Sequence, residues 1–138
     1  MNYMNPQMRK KFIFPSLLLS IIFAILILAS CSPHKEKKIV YLGIDAEIVD
    51  VDEKNQILTI IGLGDGNTIF PTETKIDCSS LEEDGKIFKM KSLTNIVNLH
   101  FNDLKITDKI KINVSDKELN NQETTLIKIE QIELLDEN

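Results

Sequence analysis

The chain of 138 residues has no tryptophan, two tyrosines, two cysteines and two histidines, and each scarcity removes a class of chemistry. Nucleophilic hydrolysis needs a base beside a serine, threonine or cysteine. The two histidines are His34, in a short polar stretch, and His100, in an alternating segment where it reads as a strand residue rather than a catalyst. Zinc needs clustered cysteine and histidine ligands, and these are not clustered. Oligonucleotide binding needs stacking aromatics on a basic groove. Beyond residue 30 the aromatics are Tyr41, Phe70, Phe88 and Phe101, few enough to be consumed by a core. The 21 acidic side chains single out no pair placed for glycosidase work and read as solvated surface. Asp50-x-Asp52 opens like a calcium loop, but Lys54 sits at a ligand position, Asn55 where the sharp-turn glycine belongs and Ile61 in place of the closing glutamate. Gly64-Asp65-Gly66-Asn67 reads as a turn before it reads as a chelator. The expectation is a non-enzymatic protein with no metal and no cofactor.

What is present begins at the N-terminus. Arg9, Lys10 and Lys11 precede an apolar run from Phe12 to Leu28, which closes on the small residues Ala29 and Ser30 and then Cys31. A basic region, an apolar region and a small-residue exit are the three parts of a signal peptide. The cations stay on the cytoplasmic side because carrying them through hydrocarbon is costly. Small side chains let an extended backbone enter a peptidase cleft, and a thiol follows as acceptor. Leu28-Ala29-Ser30-Cys31 resembles the lipobox of bacterial lipoproteins. The resemblance implies cleavage between Ser30 and Cys31, a diacylglyceryl group on Cys31, and a lipid-anchored place on the extracytoplasmic face of the cell membrane. Two other readings stay open. An uncleaved anchor would use a run of about 17 residues, at the lower end of what spans a bilayer and interrupted at Pro15; plain secretion would leave Cys31 without a purpose.

The organisation that follows is a signal peptide over residues 1–30, a lipidated cysteine and tether over 31–38, and one domain over 39–138, long enough for its own core and too short for two. Removing three basic residues with the leader leaves 13 cationic and 21 anionic side chains, a net charge of −8. Such a domain is repelled by phosphate backbones, so no nucleic acid is expected as partner. With Cys31 acylated, Cys78 has no internal partner, and the fold must rest on a hydrophobic core in which Cys78 is a small buried residue.

Apolar side chains then recur with period two, the mark of half-buried strands. Ile44, Ala46 and Ile48 share one parity and Val49 and Val51 the other, which predicts a β-bulge. Asp52 to Asn55 makes a polar turn before the β-branched run Ile57 to Ile61, and Gly62 to Asn67 a second turn before a third strand through Thr68, Ile69 and Phe70. Extended structure resumes at Lys75 to Cys78. Ser79 or Ser80 through Gly85 predicts one capped helical turn, with acids near its start and glycine at its exit. Ile87 to Met90, Ile96 to Phe101 and Lys109 to Val114 read as strands, the last with Ile110, Ile112 and Val114 on one face. Ser115 starts a polar loop with a helical turn, and Thr124 to Leu135 is a last strand that changes parity between Ile129 and Ile132.

This order predicts a mainly β fold: a small five- to six-stranded barrel with one short helical turn. Three strands, a helical insertion and two further strands resemble an OB-fold. Asp103-Leu104-Lys105-Ile106-Thr107-Asp108-Lys109-Ile110-Lys111-Ile112 is similar to the apolar-Lys-x-Gly-Asp-x-Ile-x-Val approach to a strand of such barrels, with Thr107 in place of the glycine. With Ala46 to Ile61 and Ile129 to Glu137, the domain resembles small OB-like lipoproteins of Gram-positive bacteria, a likeness that implies no particular activity. The expected role is a binding module for an envelope protein or cell-wall ligand. The alternative is an accessory subunit of an envelope complex, docking an acidic partner through Lys105, Lys109 and Lys111.

Overall fold

Ile44, Ala46 and Ile48 are buried on one face of the first strand, and the alternation slips where the sequence slips: the register with the second strand shifts between Ile48 and Asp50. The computed structural model describes residues 18–25 and 36–137. The chain divides into two units, Met1–Lys37 and Lys38–Asn138. In the first, residues 18–25 are helical and exposed. Among the described residues no helix is long and apolar enough to cross a membrane. Ser30 and Cys31 lie outside the described residues.

The second unit runs β1 (Tyr41–Asp52), β2 (Ile57–Gly62), α1 (Gly66–Ile69), β3 (Thr74–Asp77), β4 (Ile87–Ser92), β5 (Asn95–Asn98), a 3-10 turn (Phe101–Asp103), β6 (Lys109–Ser115), α2 (Asp116–Leu119), β7 (Leu126–Lys128) and β8 (Gln131–Leu134). The eight described strands form one sheet in the order β5-β4-β8-β6-β1-β2-β3-β7. β3 with β7 and β4 with β8 are parallel pairs; the other neighbours are antiparallel. The fold is therefore mainly β, with more and shorter strands than the expected five or six, and three short helices in place of one. The ladder is an open sheet and not a closed barrel, because the end strands β5 and β7 do not pair with each other. The strand expected over 124–135 is split at its parity change into β7, which ends the sheet beside β3, and β8, which lies inside it between β4 and β6, with Ile129 buried and the Glu130 N–H donated to the Asn113 carbonyl at 2.7 Å.

β1 is long because it serves two neighbours in turn. Tyr41 to Glu47 pairs with β6, and Ala46 to Asp52 pairs with β2. Ile48, Leu58, Ile60, Ile76, Ile110, Ile112 and Ile132 meet in the core, all fully buried. Each such side chain contributes on the order of 1.5–3 kcal/mol on leaving water. Cys78 is buried among them, a free thiol pushed up to about 12 by desolvation.

Three local expectations need correction, the first being the strand expected over 96–101, which stops at Asn98 while Phe101 opens the 3-10 turn. Residues 68–70 do not form a strand; Thr68 and Ile69 belong to the helical turn α1. The cause is tertiary. A Cβ on Gly62 would collide with the Gly66 carbonyl, and one on Gly66 with the Asp45 carbonyl, so two glycines let the chain fold tightly back against β1. Residues 79–85 make turns and not a helix, although their exit matches a helix end. The Lys86 N–H donates to the Leu81 carbonyl and the Gly85 N–H to the Glu82 carbonyl, the Schellman pair, with Gly85 at φ +64°. The segment is too short to add a helical bond before it closes. Downstream, Ser115 caps α2 by accepting the Glu118 N–H. Thr107, at the position where the resembled pattern has glycine, takes φ +77°.

Candidate functional site

Where β2 stops, β1 continues with a neighbour on one side only. The Asp116 N–H donates to the Val40 carbonyl at 2.8 Å, and the Leu63 N–H donates to the Asp45 carbonyl at 2.9 Å. Even-numbered peptide groups at this end of β1 thus face β6, and odd-numbered ones face the β2 side. The β2 pairing begins at Ala46 and Gly62, after which the chain turns away into α1. The peptide groups of Tyr41 and Gly43 therefore lie on an open strand edge, without a backbone partner on that side among the described residues.

That edge borders a cleft of about 580 Å³ lined by Gly43, Ile44 and Asp45 of β1, Leu63 to Gly66 and Ile69 around α1, Lys109 and Lys111 of β6, and Leu135. The Lys111 stem passes 3.7 Å from where a Cβ on Gly43 would stand, so glycine keeps the backbone uncovered. Lys111 reaches Asp45 at 3.7 Å, with both side chains about half exposed. An ion pair so wet contributes at most about 1 kcal/mol and yields to a better partner. Ile69, 41% exposed, adds an apolar wall. The cleft thus offers peptide donors and acceptors, two lysines set against two aspartates, and a greasy side.

Of the three lysines singled out from the sequence, Lys109 and Lys111 share this cleft, while Lys105 does not line it. Lys105 is exposed in the turn before β6, where its N–H donates to Asp108 Oδ2 at 2.8 Å.

A second depression, about 540 Å³, is lined by Gln56, Ser79, Glu82, Glu83, Gly85, Asn98, Leu99 and His100. Glu82 is its organising group and was invisible in the sequence. One carboxylate oxygen lies 2.8 Å from His100 Nδ1, and the other accepts the Phe101 N–H at 3.0 Å. Asp103 in turn accepts the His100 N–H at 2.8 Å. The Phe101 and His100 hydrogen bonds hold the Glu82 carboxyl below its usual range, and Glu82 raises His100 above its own. The imidazole is 77% exposed. The pair fastens the 79–85 turn to the start of the 3-10 turn.

The chain matches no protein-family model, no curated protein and no solved structure with which it was compared.

Proposed function

We propose that the mature chain is a non-catalytic binding module, lipid-anchored through Cys31 outside the cytoplasmic membrane, that holds an extended segment of an envelope protein along the open edge of β1. The observation that carries the binding role is that edge: strand peptide groups at Gly43 left open beside Lys109, Lys111 and exposed Ile69. An added strand gains backbone hydrogen bonds from the edge and takes its sequence preference from the flanking side chains. Lys109 and Lys111 offer ion pairs to an acidic segment, against Asp45 and Asp65 in the same lining. The anchoring rests on the order of Arg9 to Lys11, the apolar run, and Leu28-Ala29-Ser30-Cys31.

The same reading treats the β unit as an OB-like coil. Residues 126–134 pair with β3 through β7 and with β6 through β8, as one bent strand would. β1 likewise pairs with β6 by its first half and β2 by its second. Such double use of two bent strands is how a small sheet curls towards closure.

The test is site-specific photocrosslinking in intact cells, with the probe at Ile69 of the full chain. The proposal expects a discrete protein adduct that is lost in the Lys109→Glu, Lys111→Glu double variant. An adduct unchanged by charge reversal, or none with the chain at its normal level in membranes, overturns the edge as a binding site.

A further inference from the structure

The β unit exposes a run of large apolar side chains where its chain begins: Ile39, Val40, Tyr41 and Leu42 are 51%, 49%, 51% and 38% exposed. Val40 and Leu42 continue the inward parity of Ile44 past the end of the core, while Ile39 and Tyr41 have the opposite parity. The strand tip is therefore apolar on both faces. It is also held in place, since Val40 exchanges hydrogen bonds with Asp116, giving its N–H to Oδ1 at 3.4 Å and accepting the Asp116 N–H at 2.8 Å. Four neighbouring apolar residues fixed in an exposed position mark a contact surface.

Charge and chain length say what covers it. Lys35, Lys37 and Lys38 stand immediately before the run, against one acid, Glu36. Residues 32–42 carry a net +2, whereas residues 43–138 carry ten cationic and twenty anionic side chains. The cations of the tether and the apolar tip thus coincide, and the rest of the domain is repelled by any anionic surface. Lysines beside an exposed aromatic and aliphatic run are the equipment of an interfacial segment on anionic lipid. Seven residues separate Cys31 from Ile39, and the eight steps between them, fully extended, span at most roughly 28 Å.

We propose that residues 37–42 are a second membrane contact, with Ile39, Val40, Tyr41 and Leu42 seated in the headgroup region of an anionic bilayer and Lys37 and Lys38 among its phosphates. The proposal rests on the anchoring of Cys31 argued above. The contact holds the β unit against the surface instead of leaving it free at the end of a tether, and it turns the acidic remainder outward.

The absence of tryptophan from the chain makes a clean probe available. The full-length Tyr41→Trp protein, isolated from bacterial membranes, is reconstituted into vesicles of phosphatidylglycerol and phosphatidylcholine. A Leu93→Trp protein serves as comparison, because Leu93 in the β4–β5 turn is 94% exposed. The expected result is a blue-shifted emission from the Tyr41→Trp protein that brominated lipid quenches and aqueous iodide does not, with the opposite behaviour at position 93. Lys37→Glu with Lys38→Glu should reverse the lipid quenching while the protein stays in the vesicles. Iodide quenching at position 41 equal to that at position 93, in protein that remains vesicle-bound, overturns the contact and leaves the anchor standing. Protein released from vesicles and membranes alike overturns both.

Discussion

Thr107 is a β-branched residue in the left-handed region, at φ +77°, and replacing it with glycine should stabilise the protein. The conformation is imposed by the backbone: the Thr107 N–H donates to the Ile48 carbonyl at 2.8 Å and the Ile48 N–H to the Asp108 carbonyl at 3.0 Å, pinning the turn before β6 to the bulge of β1. Those bonds use no side-chain atom and survive the substitution. The threonine side chain is exposed, so little buried surface is lost. Holding a residue in such a region costs on the order of 1–3 kcal/mol, more for a branched side chain than for asparagine. Glycine removes that strain but returns roughly 0.5–1 kcal/mol to the unfolded chain as entropy. The net gain for Thr107→Gly centres on about 1 kcal/mol, or roughly 4–8 °C in the midpoint of a domain of this size. Thr107→Asn should gain in the same direction. Thr94→Gly, at an exposed turn threonine without a positive φ, is the control and should destabilise. Thermal and urea unfolding of the three variants decide the matter. A Thr107→Gly protein that loses as much stability as Thr94→Gly would refute the strain argument.

Three further outcomes follow from the geometry. Cys78 is buried with its thiol 3.9 Å from the Ile76 carbonyl; it should resist thiol reagents until the protein unfolds, and Cys78→Ser should lower unfolding free energy by roughly 1–3 kcal/mol in urea titrations. The His100–Glu82 pair gives stability a pH window. His100, raised above 6.5, contributes below that pH and loses its contribution as pH rises through its folded value; Glu82, lowered below 4.5, contributes above 4.5 and loses it as pH falls. His100→Gln should therefore cost more in melting temperature at about pH 5.5 than at about pH 8, and an equal cost at both would show that the ion pair adds nothing. Gly62→Ala, whose Cβ would meet the Gly66 carbonyl, should destabilise by roughly 3 kcal/mol in the same titrations, and a near-neutral result would mean that the α1 turn gives way easily.

The strands could be read because their information is local. Ile110, Ile112 and Val114 alternate with Lys109, Lys111 and Asn113, and the pattern lands in β6 with its inward face buried. The bulge of β1 and the break between β7 and β8 both follow parity changes in the sequence. The helical turn α1 was not legible, because its cause is the approach of Gly62, Gly66 and the Asp45 carbonyl across the fold. Glu82 was missed for the same reason. Nothing near Glu82 in sequence points to His100, eighteen positions on, and the contact exists only once the 79–85 turn and the 3-10 turn are brought together. The open edge beside Gly43 depends on where β2 stops relative to β1, a register that composition does not encode. Thr107 is the intermediate case: the resembled pattern marked the position as special, and the strained φ supplies the reason.

The central claim is that this β unit works outside the membrane on a lipid anchor, and the most direct measurement is the mass of the chain recovered from the membrane fraction of cells expressing the full sequence. Intact-protein and N-terminal peptide mass spectrometry should find residues 1–30 gone and the chain beginning at Cys31 with the added mass of a diacylglyceryl group, while Cys31→Ser should keep the leader attached. A chain that retains residues 1–30 in its natural sequence, or one cleaved with Cys31 unmodified, would contradict the account.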